Sequence, residues 1–380
     1  MQLRPILSFT VLLTATTGLG LIGCSSDDAL PRYRGASDGE LLLKADTTDI
    51  PSPQGLAERI VLVAKGVREQ LGDSALADPV EGMRAIDTLV LRLSSRLFMV
   101  NEPDSLVAEL KELVFDESGI AFDRDQDELP NMFPHSVVAR GRGSCLGMSL
   151  LLLVIGEKMD MPLHGVLAPE HFFVRFDDGS RSFNIETIKQ GACFGDDWYR
   201  ERYGIGEASP LYGLRSLGPD EVVGVLQFNV GNVYRERADY GPAVKCYEQT
   251  VAALPHFAEA WGNLGVALEA LGEDERALEA LERARELDPS LKNLQRNIGA
   301  LQVRLARHLR AIEEYRQALT ETPGDADLHY GLAFASYGAG EYEQACRHAR
   351  EALEIRDTFN DARELLQRSE ARLKDTQSDS

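Results

Sequence analysis

A 34-residue period in the last part of the chain constrains its fold more than any other feature. Gly231, Gly265 and Gly299 lie one period apart, and Ala333 continues the series. Ala243, Ala277, Ala311 and Ala345 form a second series; Pro255, Pro289 and Pro323 form a third, with Asp357 in the fourth place. Small residues at fixed points of two successive helical stretches let antiparallel helices approach closely, and proline stops the second helix. A single hairpin of this kind cannot bury its own apolar face, so units must stack and share one continuous core. Three series in phase predict an all-α solenoid over residues 220–375, with about four units and a capping helix near Arg363–Leu373.

The second unit reads Trp261-x₂-Leu264-Gly265-x₂-Leu268, then Ala277, Leu281, Ala284 and Pro289. This resembles the tetratricopeptide repeat, and the resemblance implies a scaffold whose groove holds a protein or peptide partner. Arg276, Arg283, Arg285, Arg304, Arg307, Arg310 and Arg316 alternate with glutamates and read mainly as solvated surface. The formal net charge is −21. A surface this acidic repels phosphate, which argues against nucleic acid and an anionic membrane surface as partners and favours basic ones.

At the other end, Arg4 precedes an uncharged run from Pro5 to Ser26 centred on Ile6–Leu13, the pattern of an export signal. The run ends in Leu21-Ile22-Gly23-Cys24, which resembles the lipobox of bacterial lipoproteins. The resemblance implies removal of residues 1–23, lipidation of Cys24 and attachment to a membrane through that anchor. An uncleaved membrane-spanning anchor is the alternative. Each buried CH₂ contributes about 0.8 kcal/mol, so several acyl chains on one cysteine anchor stably. The expected location is the cell envelope, extracytoplasmic. Ser25 in place of Asp after the cysteine implies, for a diderm source, the outer membrane facing the periplasm. Residues 24–55, with Ser25-Ser26-Asp27-Asp28 and Pro51-Ser52-Pro53, read as a flexible tether.

Between tether and repeats, residues 56–215 have mixed character. Leu56, Ile60, Val63 and Val67 predict a helix; Met83, Ile86, Leu89, Val90 and Leu93 predict another across Val80–Met99; a third covers Leu106–Val114. Asp116 to His135 reads as loop. Arg140-Gly141-Arg142-Gly143-Ser144 leads into an apolar helix from Cys145 to Ile155. His171–Phe176 and Ser182–Ile188 read as strands split by Asp177-Asp178-Gly179-Ser180, a hairpin signal. A two-residue turn at Asp178-Gly179 sets His171 opposite Glu186, with Phe172–Ile185 and Val174–Phe183 paired on the buried face.

Cys145 opens its helix, where the dipole and unpaired amides favour a thiolate. A carboxylate beside an imidazole orients the ring, stabilises its protonated form and lets it activate a thiol. Gly143-Ser144-Cys145-Leu146-Gly147, Pro169-Glu170-His171 and Asn184-Ile185-Glu186-Thr187 together resemble the transglutaminase-like superfamily of papain-like fold. The resemblance implies an α+β domain before the solenoid, with Cys145 as nucleophile, His171 as general base and acid, and Glu186 as orienting carboxylate. That family has Asp at the third place; Glu is one methylene longer, and Asn184, two residues away on the same face, is a supporting candidate. No cofactor or metal is expected.

Other readings of these residues stay open: a structural His171, a Cys145–Cys193 disulfide, or a zinc site from Cys145, His171, Glu186 and Cys193 that lacks recognisable ligand spacing. His135 and His164 read as structural. The sequence thus leads to an envelope lipoprotein with a thiol-dependent acyl-transfer, peptidase or amidase domain and a protein-binding scaffold. Its alternative is a non-catalytic adaptor that assembles an envelope complex. Cys24→Ala should abolish lipid attachment and leave the precursor uncut, read by intact mass; a mature, acylated Cys24→Ala chain would refute the lipobox.

Overall fold

The computed structural model describes residues 55–97, 102–125, 128–205, 211–291 and 293–378; the expected signal, Cys24 and nearly all of the tether lie outside the described residues. Three helices come first: α1 (Leu56–Leu71), α2 (Pro79–Leu97) and α3 (Pro103–Lys111), the last running into a wider turn at Glu112–Glu117. Their buried residues, Ile60, Ala64 and Val67 on α1 and Ile86, Leu89 and Leu93 on α2, follow the helical stripe in the sequence. The span expected as loop from Asp116 to His135 is more ordered than that. It holds strand β1 (Ala121–Phe122), helix α4 (Leu129–Met132) and the start of α5 (Pro134–Arg140). Pro130 and Pro134 sit in the first turns of those helices, where a missing N–H loses no hydrogen bond.

Strand β2 (Arg142–Gly143) pairs in parallel with β1 and delivers the chain into α6 (Cys145–Lys158). Every residue of α6 from Cys145 to Gly156 is buried. A helix apolar all round belongs in an interior, and α6 is the axis of this domain. No described helix is long and apolar enough to cross a membrane. Four antiparallel strands follow in the order β3 (Leu163–Ala168), β4 (His171–Asp177), β5 (Ser182–Glu186) and β6 (Ala192–Phe194), then α7 (Asp196–Tyr203). Phe172, Val174, Phe176 and Ile185 belong to the core built on α6. Val166, Ala168 and Phe173, on the opposite face, pack with Tyr199 of α7, Ile205 and Leu214.

The hairpin register differs from the expected one by two residues. Val174 faces Ile185, Arg175 faces Asn184, Phe176 faces Phe183 and Asp177 faces Ser182. The loop is therefore four residues, 178–181. The Asp178 carboxylate widens it by accepting from the Ser180 and Arg181 amides and the Ser180 hydroxyl, with Gly179 at φ +81. A shift of two preserves the alternation, so every side chain keeps its expected face.

The repeats form eight helices in four antiparallel pairs: α8 (Pro219–Glu236) with α9 (Tyr240–Ala253), α10 (Ala258–Ala270) with α11 (Asp274–Leu287), α12 (Leu294–Arg304) with α13 (His308–Glu321), and α14 (Ala326–Gly338) with α15 (Tyr342–Ile355). Helix α16 (Asn360–Ser378) closes the stack, burying Ala362 and Leu365 against Tyr330 and Ala349. Ala243, Ala277, Ala311 and Ala345 are each fully buried. Arg276, Arg285 and Arg304 pair with acids of neighbouring helices, and Arg283 pairs with Glu286 on its own helix.

The two halves share one core. Leu217, Val222, Val225 and Leu226 pack in the same apolar cluster as Phe172 and the α6 leucines. Gly165 of β3 bridges to Leu217, Arg59 of α1 pairs with Asp220 of α8, and the Tyr212 hydroxyl donates to Glu259 at 2.7 Å.

Two glycines of α10 separate backbone propensity from packing. A Cβ on Gly265 would lie 2.6 Å from Leu281 Cγ, whereas one on Gly262 would meet only Ala284 Cβ at 3.9 Å. Gly262→Ala should stabilise the repeats by about 0.5–1 kcal/mol through helix propensity. Gly265→Ala should destabilise them by about 1–3 kcal/mol through overpacking. Urea unfolding checks both; equal effects would contradict the close helix approach.

Candidate active site

Ser144 fixes the N-terminus of α6. Its hydroxyl accepts from the Gly147 amide at 3.1 Å while donating to the Asn131 carbonyl at 2.9 Å, and its own amide donates to that same carbonyl. Cys145 is thus the first residue of a capped helix. The glycine two residues on is obligatory: a Cβ at Gly147 would stand 2.1 Å from the Asn131 oxygen. Further contacts lock the Cys145 helix to the sheet. The Thr187 hydroxyl donates to the Cys145 carbonyl at 3.4 Å, and Ser149 reaches both Thr187 and the Phe172 carbonyl.

His171 begins β4 after a two-residue turn in which Glu170 adopts φ +56. Glu186 ends β5, and its carboxylate divides its work: Oε2 lies 2.8 Å from His171 Nε2 and Oε1 accepts from the Ile188 amide. With Nε2 committed to the carboxylate, the ring's other face of chemistry is Nδ1. That atom completes no conventional hydrogen bond, and the Cys145 thiol is the group that acts on the imidazole besides Glu186. Cys145, His171 and Glu186 all have zero exposure. Burial pulls the imidazole pKa down, but the Glu186 carboxylate and the Cys145 thiol outweigh it, leaving the pKa raised to about 9. The ring is therefore held as imidazolium at neutral pH.

The structure corrects the expectation for Asn184. It shares a sheet face with Glu186, but its amide does not reach His171. Its oxygen accepts from Arg175 Nε at 2.9 Å and its nitrogen donates to Asp196 at 2.7 Å, while Arg175 also binds the Leu214 carbonyl. Asn184 is a member of a buried network that ties α7 to the sheet. Cys193 lies on β6 opposite Ile185, on the face away from Glu186, is exposed, and forms no disulfide with Cys145. His135 is buried and its pKa falls to about 4, chiefly through burial, so it is a neutral packed ring.

Sequence reasoning missed the roof over the site. Tyr203 stacks on His171 with ring centroids 5.0 Å apart, and Phe173, Tyr199 and Trp198 extend the aromatic layer. Burial, reinforced by the charge on Glu186, raises the pKa of both tyrosines, and Tyr199 lies near the carboxylate without a full hydrogen bond to it. The only signal in the sequence was the aromatic density of Trp198-Tyr199 and Tyr203.

Comparison with known proteins agrees with this geometry. A transglutaminase-like superfamily model matches residues 81–204, and two tetratricopeptide repeat models match 230–291 and 305–369. A UPF0162 protein of Xylella fastidiosa is 24% identical over 196 residues, covering 50% of this chain and 70% of the relative. Hsp70-Hsp90 organizing protein 1 of Glycine max is 28% identical over 102 residues, 27% of this chain and 18% of that protein. Among solved structures, MamA 41-end from Desulfovibrio magneticus RS-1 superposes with a TM-score of 0.39 at 19% identity, covering 41% of this chain and 88% of that one. The matches and the geometry divide the chain the same way: it is a transglutaminase-like domain followed by tetratricopeptide repeats.

Proposed function

We propose that the first domain performs thiol-dependent acyl transfer and that the repeats bring it to its protein substrate or partner. The observation that carries this reading is the buried His171–Glu186 contact of 2.8 Å beside a cysteine that opens a capped helix. In the proposed reaction the Cys145 sulfur, its proton already resting on the His171 imidazolium, attacks an amide carbonyl as a thiolate. The Cys145 amide, at the helix start, is the donor offered to the developing oxyanion; one such donor contributes on the order of 10²–10³ in rate. Collapse expels the amine, which takes the proton from His171 and leaves a thioester. Water or a second amine, deprotonated by His171, then releases the acyl group and restores the thiolate–imidazolium pair. Glu186 keeps the ring oriented and its charged form stable throughout.

The repeats support the recruiting role by architecture, and one relative is itself named for organising Hsp70 and Hsp90. With the lipobox-like Leu21-Ile22-Gly23-Cys24, the reading extends to an envelope lipoprotein that acts outside the cytoplasm.

A second reading, a non-catalytic adaptor, is favoured by one observation: the thiol has no exposure and the His171 ring lies under Tyr203. Under the first reading α7 must swing away to admit substrate; under the second it never does. A small chloroacetamide probe at pH 7 separates them. Acyl transfer predicts labelling of Cys145 at least tenfold faster than of Cys246, whose thiol burial pushes up to about 12, and loss of that excess in His171→Ala. Labelling of Cys145 no faster than Cys246 would establish the adaptor reading.

A further inference from the structure

Among the described residues, the fourth repeat carries a cluster that the other repeats do not. His329 stands on α14, and His348 and Glu351 on α15, one turn apart. Three ligand atoms converge: His329 Nδ1 and His348 Nδ1 are 3.4 Å apart, and Glu351 Oε2 lies 3.0 Å from the first and 2.6 Å from the second. All three side chains are partly exposed, which leaves the site reachable from solvent.

The protonation pattern of His329 is fixed by its other nitrogen. Nε2 lies 3.0 Å from the Pro323 carbonyl, which can only accept, so Nε2 carries a hydrogen. The repeat symmetry supports the assignment. Two periods earlier Trp261 occupies the place of His329 and Pro255 that of Pro323, and there the indole N–H donates to the proline carbonyl at 3.1 Å. Indole nitrogen is a donor only. In neutral His329, Nδ1 is then a bare lone pair aimed at a carboxylate oxygen and a second imidazole nitrogen. Three ligand atoms so close call for a hydrogen or a cation between them.

We propose that His329, His348 and Glu351 bind a divalent d-block cation of the zinc type, with His329 Nδ1, His348 Nδ1 and Glu351 Oε2 as ligands and a water or partner group completing the shell. Ligand atoms on a tetrahedral zinc at about 2.0–2.1 Å stand about 3.3 Å apart; the 3.4 Å nitrogen pair matches this, and the Glu351 oxygen, at 3.0 and 2.6 Å, would move outward by a few tenths of an ångström on binding. A metal-bound histidine commonly donates its second N–H to a backbone carbonyl, the role Pro323 already fills. Two imidazoles and a carboxylate select zinc, nickel or copper over magnesium or calcium. The cation would clamp the two helices of the last full unit. This site is independent of the acyl-transfer reading, and a proton shared within the cluster is the competing way to satisfy the same atoms.

Cobalt(II) titration of the full chain, followed by visible absorption and with zinc(II) competition, tests the proposal. Suitable variants are ones the repeats already host: Gln295 occupies the place of His329, Ala280 that of His348, and Gln317 that of Glu351. The expected result is one cobalt per chain with four-coordinate d–d bands, displaced by zinc, and affinity reduced at least tenfold in His329→Gln, His348→Ala and Glu351→Gln. Circular dichroism of the metal-free variants should match the parent. No stoichiometric binding would overturn the site and leave the shared proton. So would binding as tight as the parent's in His329→Gln and His348→Ala, or sulfur-to-cobalt charge-transfer bands that place the cation on a cysteine.

Discussion

A carboxylate with no contact with water must find a positive partner or give up its charge, and Glu186 finds His171. Much of the first domain is arranged to make that meeting possible. The alternation of β4 and β5 puts both side chains on one face, the two-residue turn before His171 brings the ring to the strand's start, and the aromatic residues of α7 seal it from solvent. From the other side, Ser144 and Thr187 fix the helix whose first residue is Cys145. The pair also ties stability to pH. Because His171 titrates at about 9 when folded and its ordinary value is 6.5, the stabilisation is fully present below 6.5 and is lost as pH rises through about 9.

The scaffold is joined to this site mechanically. Core residues of α8 pack with those of α6 and β4, and Gly165 of β3 bridges to the segment that enters α8. A load on the first repeat therefore acts, through these contacts, on the sheet that carries His171. Farther along, each unit repeats one solution: a small residue on the first helix and a fully buried alanine on the second, followed in the first three units by a proline. The fourth unit keeps that frame while placing histidines and a glutamate where the second has tryptophan, alanine and arginine.

Much of this was legible from residues alone, for physical reasons that can be named. The repeats were readable because their packing demands recur at a fixed period. The Cys145 helix was readable because its start is marked by Gly-Ser-Cys and its body is unbroken hydrocarbon. The facing of His171 and Glu186 was correct because strand alternation survives a shift of two, although the register itself was not. The Asp178 side chain, by building its own turn, made the loop longer than the Asp-Gly pair implied. Strand β3 was hidden because His164 and Gly165 interrupt its apolar run, and α7 because an acidic start and scattered aromatics give no helical stripe. Asn184 was misassigned for a related reason: a shared face places two residues near one another, but Arg175 and Asp196 compete for the amide.

The central claim is that His171 is held charged by Glu186 next to Cys145. Nitrogen-15 NMR of ring-labelled protein reads this state directly. At pH 7.5 the account predicts both His171 nitrogens protonated in the native chain, and a neutral ring with one bare nitrogen in Glu186→Gln of unchanged fold. A neutral His171 in the native chain at that pH, or an imidazolium indifferent to Glu186→Gln, would contradict it.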